Sequence, residues 1–184
     1  MPKLYDLAIT NGKIVDGTGN PWFKGDLAVK GEKIVKIGRT DPRSAKAAID
    51  ASGKIVSPGF IDSHSHSDFS LIFDPSAEST IKQGITTLVV GQCGMSLAPI
   101  NRKFESLLKR YAAPFLPDPN IEIPWTTFKQ YLAKMKRLRS TSNTFHLVGH
   151  GTVRIAAMGF AEKDPNRIEL QNMKAMVTEA MKAG

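Results

Sequence analysis

The sequence predicts an α/β protein in which a small antiparallel β module precedes about three βα units of a parallel sheet. Three observations carry this. Asp6-Leu7-Ala8-Ile9-Thr10-Asn11-Gly12-Lys13-Ile14-Val15 aligns with Asp26-Leu27-Ala28-Val29-Lys30-Gly31-Glu32-Lys33-Ile34-Val35, an internal repeat with the alternation of strands. After Lys54 short apolar runs alternate with helical patterns, the signature of βαβ units. Finally, the chain has 184 residues, too few for a closed eight-stranded (β/α) barrel of ~250 residues. With 41% hydrophobic and 23% charged residues it has the balance of an ordinary globular chain that buries a core.

Each copy of the repeat reads as a β-hairpin. Asn11-Gly12 is a favoured two-residue turn, and Lys30-Gly31-Glu32 takes the turn's part in the second copy. Ala48-Ile49-Asp50-Ala51 supplies another strand. Residues 1–54 are therefore expected to form the β module and residues 55–184 the βα units. In the second region the first strand runs from Ile55 to about Ser63. Its helix follows Asp74-Pro75, where Asp can N-cap and Pro suits the first turn, and ends at Gly84. Thr86 to Val90 is a buried, β-branched second strand.

A long excursion with Pro99, Pro114, Pro117, Pro119 and Pro124 follows, too irregular for a simple βα loop and so a lid or wall. Phe104, Leu107, Leu108 and Tyr111 mark one short helix within it. Phe128, Tyr131, Leu132, Met135 and Leu138 mark a clearer amphipathic helix from about Thr127 to Arg139. The third strand is Asn143 to Val148, and a last helix opens at Asp164-Pro165. Its Met173, Met176, Val177, Ala180 and Met181 share one face, read as core rather than as a cofactor site.

The formal charge is +8. Residues 101–140 hold nine of the basic residues against Glu105, Asp118 and Glu122, so most of the surplus falls on one segment and reads as a solvated helix face rather than a nucleic-acid stripe. Met1 to Asp6 lacks the apolar stretch of a signal peptide, and no apolar run approaches the ~20 residues of a membrane span. The expectation is a cytoplasmic chain with neither nucleic-acid nor membrane partners. Cys93 is the lone cysteine, so no internal disulfide can form.

The chemistry concentrates in Asp62-Ser63-His64-Ser65-His66-Ser67-Asp68. In an extended strand Asp62, His64, His66 and Asp68 share a face, and two imidazoles one residue apart can converge on a metal, for which zinc is the usual occupant. The motif falls at the carboxyl end of the first parallel strand, where α/β folds place their sites. Cys93, in Gly91-Gln92-Cys93-Gly94, falls at the corresponding end of the second strand. It reads as a buried inert thiol, as a thiolate ligand to zinc, or as a nucleophile with a histidine base. His150 falls at the carboxyl end of the third strand, facing the pocket, where it could contact substrate or orient a neighbour. Arg154 could hold a carboxylate or a surface acid, while His146 inside the strand reads as a packed residue.

The repeat with Asp16-Gly17-Thr18-Gly19, together with Val56-Ser57-Pro58-Gly59-Phe60-Ile61-Asp62-Ser63-His64-Ser65-His66, resembles the opening of the amidohydrolase superfamily. Gly91-Gln92-Cys93-Gly94 and Leu147-Val148-Gly149-His150-Gly151-Thr152-Val153-Arg154 narrow the resemblance to the N-acyl-D-amino-acid deacylases, or D-aminoacylases; Gln92 stands where that family is expected to carry Asn. The resemblance implies the amino-terminal part of a (β/α) barrel, about three βα units, preceded by a small antiparallel β-sandwich module. It also implies zinc-dependent hydrolysis of N-acyl-D-amino acids, with His64, His66 and Cys93 as metal ligands. The remaining histidine ligands and the catalytic aspartate are expected beyond Gly184, in a missing carboxyl-terminal part of the barrel that would be this chain's partner. Neither Asp62 nor Asp68 is assigned as the general base. The rival readings are a cyclic-amide hydrolase of the dihydroorotase or hydantoinase type, and a non-catalytic metal-binding fragment.

Overall fold

The computed structural model describes residues 3–118 and 120–184. Met1 and Pro2 of the amino-terminal reading and Pro119 of the excursion lie outside the described residues. The chain divides into two compact units, one ending at Pro58 and the other beginning at Gly59.

The first unit is one five-stranded sheet built from β1 (Tyr5–Ile14), β2 (Phe23–Lys30), β3 (Lys33–Ile37), β4 (Ala45–Asp50) and β5 (Ile55–Val56). The order is β3-β2-β1-β4, with β5 also on β1. The expected all-antiparallel module is instead mixed: β1 pairs antiparallel with β2 but parallel with β4 and β5. The cause lies at Asn11-Gly12, which is not a hairpin turn. β1 runs through it with a register shift between Ile9 and Gly12. Asn11 takes a left-handed φ of 63°. Its N–H donates to Asp26 Oδ1 at 2.8 Å and its side-chain amide to Asp50 Oδ1 at 2.9 Å. These bonds pin the extra residue as a bulge and let the strand continue. The equivalent position of the second copy, Gly31, is also left-handed, at 58°. There the chain does turn back, from β2 into β3.

The second unit contains β6 (Phe60–Asp62), α1 (Asp68–Leu71), α2 (Glu78–Ile81), β7 (Ile85–Val90), α3 (Glu105–Ala112), α4 (Phe128–Leu138), β8 (Asn143–His146), α5 (His150–Met158) and α6 (Arg167–Ala183). Its sheet has the order β6-β7-β8, parallel throughout. The first strand, expected as one run from Ile55, is two: Ile55–Val56 joins the first sheet, and Ser57-Pro58-Gly59 separates it from β6. Gly59 is required there, since a Cβ would lie 2.1 Å from Thr86 Oγ1.

The helix expected after Asp74-Pro75 is also different. The Asp74 carboxylate accepts the Ser76 N–H within its own turn, and Ala77 has a left-handed φ of 46°, so only the single turn α2 forms. α5 carries no start signal in the sequence beyond Gly149 and was not expected.

The excursion is a wall rather than a loose lid. Leu97, Ile100, Leu108, Ile121, Ile123 and Trp125 are buried in the same core as Leu88, Val90, Phe128 and Tyr131, and Trp125 Nε1 donates to the Leu97 carbonyl at 2.7 Å. Burying each large apolar side chain there contributes about 2 kcal/mol. α4 starts at a capping box between Thr127 and Gln130. It buries Phe128, Tyr131 and Met135 and leaves Lys134, Lys136 and Arg137 exposed, as the charge pattern predicts. α6 likewise begins at a capping box, Asn166 with Glu169. Only Met173 and Ala180 of its predicted core face are buried, whereas Val177 and Met181 are exposed.

Candidate metal centre

β6 stops at Asp62 because the Asp62 carboxylate accepts the His64 N–H at 3.0 Å, curling the chain out of the strand. His64 and His66 therefore lie in the loop before α1, not on one face of a strand as expected. They converge all the same, with ring centroids 5.9 Å apart. Asp68 departs from them: it opens α1 and is 1% exposed. Both of its carboxylate oxygens are buried without a hydrogen-bond partner among the described residues. Burial pushes its pKa up to about 7.

Cys93 follows β7 by three residues and has a left-handed φ of 53°, between Gly91 at 82° and Gly94 at 73°. Such backbone costs ~1 kcal/mol or more for a residue with a Cβ. It turns the thiol toward the histidine loop, where Cys93 Sγ lies 3.1 Å from His64 Nε2. The side chain is exposed, which removes the reading of a buried inert thiol. One ligand atom from each of His64, His66 and Cys93 lies within 4.8 Å of the others, and these are the residues that could hold a metal among those described.

The donor set suits a borderline-soft ion such as zinc. Burial, and then the charge of His64, lower the His66 pKa and favour the neutral, ligating imidazole. His66 Nδ1 is buried with no hydrogen-bond partner among the described residues. A tetrahedral zinc with bonds of about 2.0 Å to nitrogen and 2.3 Å to sulfur would space those atoms by about 3.5 Å, so the His64–Cys93 pair, at 3.1 Å, would have to open by only about 0.4 Å. The residues present fit the ion.

Phe115, which the sequence did not single out, stacks on His66 with centroids 4.2 Å apart and an interplanar angle of 22°. It comes from the excursion, and only the folded path of that wall brings it to the histidine. A cavity of about 540 Å³ opens beside Cys93, lined also by Gln92, Phe145, Leu147, His150 and Met181. His150, exposed at the first turn of α5, faces this cavity but stands outside the three-residue cluster. His146 is packed, as expected: its Nδ1 pairs with the Tyr131 hydroxyl at 3.0 Å and its Nε2 with Thr144 Oγ1 at 2.8 Å. The Arg154 guanidinium donates to the carbonyls of Ala161 and Lys163 at 2.8 and 2.7 Å, so it closes the α5–α6 connection.

Residues 47–183 match the model of the amidohydrolase family. The chain is 36% identical over its whole length to an N-acyl-D-aspartate deacylase of Alcaligenes xylosoxydans xylosoxydans, covering 36% of that protein. It is 34% identical over 98% of its length to a D-aminoacylase of the same organism, again covering 36% of it. Among solved structures, an N-acyl-D-glutamate deacylase from Bordetella bronchiseptica, complexed with zinc and a phosphonate mimic of the tetrahedral intermediate, superimposes with a TM-score of 0.85. That match has 37% identity and covers 97% of this chain and 36% of that one. The chain thus spans about a third of the length of these relatives.

Proposed function

The chain belongs to the amidohydrolase family, and from that premise we propose that it supplies the metal-binding end of a zinc-dependent hydrolase that cleaves N-acyl-D-amino acids to a carboxylate and a D-amino acid. The observation that carries this is the convergence of His64, His66 and Cys93, with ligand atoms within 4.8 Å, at the carboxyl ends of adjacent parallel strands. The likeness to deacylases over nearly the whole chain supports the substrate class. The sequential parallel order β6-β7-β8 supports reading the second unit as the first three βα units of a barrel, with the first unit as its small β module.

In this reading His64 and His66 donate neutral imidazoles and Cys93 a thiolate. Zinc, when bound, polarises the acyl carbonyl and lowers the pKa of water toward neutrality. The chain's own residues prepare the site. Phe115 covers one face of the His66 ring and keeps water from it. Asp62 holds the His64 backbone and so the entry of the loop. The apolar walls Phe145, Leu147 and Met181 of the cavity beside Cys93 take the acyl or side-chain group, and His150 contacts the polar end of the substrate. Asp68, buried and outside the cluster, is not given the proton transfer. A ligating thiolate requires a reduced cysteine, which agrees with a cytoplasmic setting. Among the described residues no helix is long and apolar enough to cross a membrane.

The test has two arms. Zinc should raise the melting temperature of the purified chain, and Cys93→Ser or His64→Ala should remove the gain. In the polypeptide encoded by the complete open reading frame, N-acetyl-D-glutamate and N-acetyl-D-methionine should be deacylated in a zinc-dependent manner, with dihydroorotate left intact. Turnover of the cyclic amide instead, or a zinc response that survives Cys93→Ser, would overturn the reading.

A further inference from the structure

The turn that carries Cys93 is held from both sides, and neither hold belongs to the ligand set. On one side, Gln92 Nε2 donates to the Ser63 carbonyl at 2.8 Å, tying the residue before Cys93 to the residue before His64. On the other, Thr152 makes three bonds to the same turn. Its N–H donates to the Gly94 carbonyl at 3.1 Å. Its hydroxyl accepts the Ser96 N–H and donates to the Ser96 carbonyl, both at 2.9 Å. The Ser96 hydroxyl in turn accepts the Gly149 N–H at 3.0 Å. Thr152 and Ser96 are each 1% exposed, so these bonds have no water to replace them. The close approach is backbone on backbone: a Cβ at Gly149 would lie 2.5 Å from the Gly94 carbonyl oxygen.

The turn that carries Cys93 contains two glycines, Gly91 and Gly94, whose backbone is permissive unless it is held. We propose that Gln92 and Thr152 are positioning residues of the metal centre, which hold the Cys93 thiol at the histidine pair through Ser63 on one side and through Gly94 and Ser96 on the other. The proposal rests on the metal reading above. Gln92 spans the gap between two ligand-bearing loops, and Thr152 anchors the second loop to the start of α5. Partners of this kind, one shell outside the ligands, typically change metal affinity by about 10–100-fold when removed.

The experiment is a cobalt(II) titration of the full 184-residue chain, followed by the thiolate-to-cobalt charge-transfer absorption and paired with metal-free melting. Gln92→Met, which keeps length and loses the donor, should leave the metal-free melting temperature nearly unchanged yet weaken cobalt binding by about tenfold or more. Thr152→Val should weaken both the affinity and the charge-transfer band, and Thr152→Ser should restore both. If Thr152→Val does not fold, Gln92→Met and Thr152→Ser carry the comparison. Wild-type affinity and band in Gln92→Met would overturn the proposal and leave the metal reading intact. If the wild-type chain shows no band, the metal reading fails. The positioning claim is then read in the metal-free chain from the ¹⁵N shifts of the His64 ring. In Gln92→Met they should move toward those of Cys93→Ser, and unchanged shifts would overturn it.

Discussion

His146 gives the most quantitative handle on the second unit. Its ring is hydrogen-bonded at both nitrogens, to Tyr131 and Thr144, and packs edge-on against the Tyr131 ring with centroids 5.2 Å apart. Burial pushes its pKa from 6.5 down to about 4. The folded chain therefore refuses a proton that the unfolded chain accepts. Its contribution is fully present above about pH 6.5 and is lost as pH falls toward about 4. Each pKa unit corresponds to about 1.4 kcal/mol, so the loss is about 3 kcal/mol at most. Asp68 acts in the opposite sense: burial raises its pKa to about 7, so its contribution is fully present below about 3.8 and is lost as pH rises through 7. The two offset each other, and the pH curve of the chain alone does not isolate either. His146→Gln keeps a polar side chain but cannot take up the proton. In urea unfolding followed by circular dichroism, the variant should be less stable than its parent at about pH 7, by about 1 kcal/mol for impaired hydrogen bonds. Between about pH 7 and pH 4 it should gain about 3 kcal/mol on the parent. A difference in unfolding free energy that stays constant across that range would refute the reasoning.

Two further substitutions probe how the site is framed. Gly91→Ala places a Cβ 2.1 Å from the Leu147 carbonyl oxygen at a φ of 82°, and should destabilise the chain by more than about 3 kcal/mol, read as a fall in melting temperature; a loss below about 1 kcal/mol would show that the β7 and β8 loops are not tightly apposed. Glu179 on α6 accepts the N–H groups of Phe128 and Lys129, both at 3.1 Å, at the first turn of α4. Glu179→Gln should cost about 1 kcal/mol in urea unfolding, because one oxygen cannot serve both donors and the charge at the helix start is gone; an unchanged midpoint would assign the cap to Thr127 alone.

How much of this could be read from the sequence depended on how local the deciding interaction was. α4 and α3 were legible because their apolar spacing is the packing surface itself, as Phe128, Tyr131 and Met135 show. β7 was legible as a run that is β-branched except at Leu88. Asn11-Gly12 misled because the same left-handed residue serves a turn or a bulge, and Asp26 and Asp50, distant in sequence, decide which. The run Ile55 to Asp62 hid a boundary because both of its halves are strands, in different sheets. At the candidate metal centre the residue types and spacing singled out His64, His66 and Cys93, and the fold brings them together, although the convergence comes from a loop rather than from a shared strand face. Phe115 left no local signal, since only the folded excursion stacks it on His66.

The central claim is that two imidazoles and the Cys93 thiolate hold one metal ion. X-ray absorption at the zinc edge of the zinc-loaded chain tests it most directly. The account predicts a sulfur scatterer at about 2.3 Å together with nitrogen at about 2.0 Å, the sulfur being lost in Cys93→Ser and nitrogen scattering reduced in His64→Ala. A first shell of oxygen and nitrogen without sulfur in the wild-type chain would contradict it.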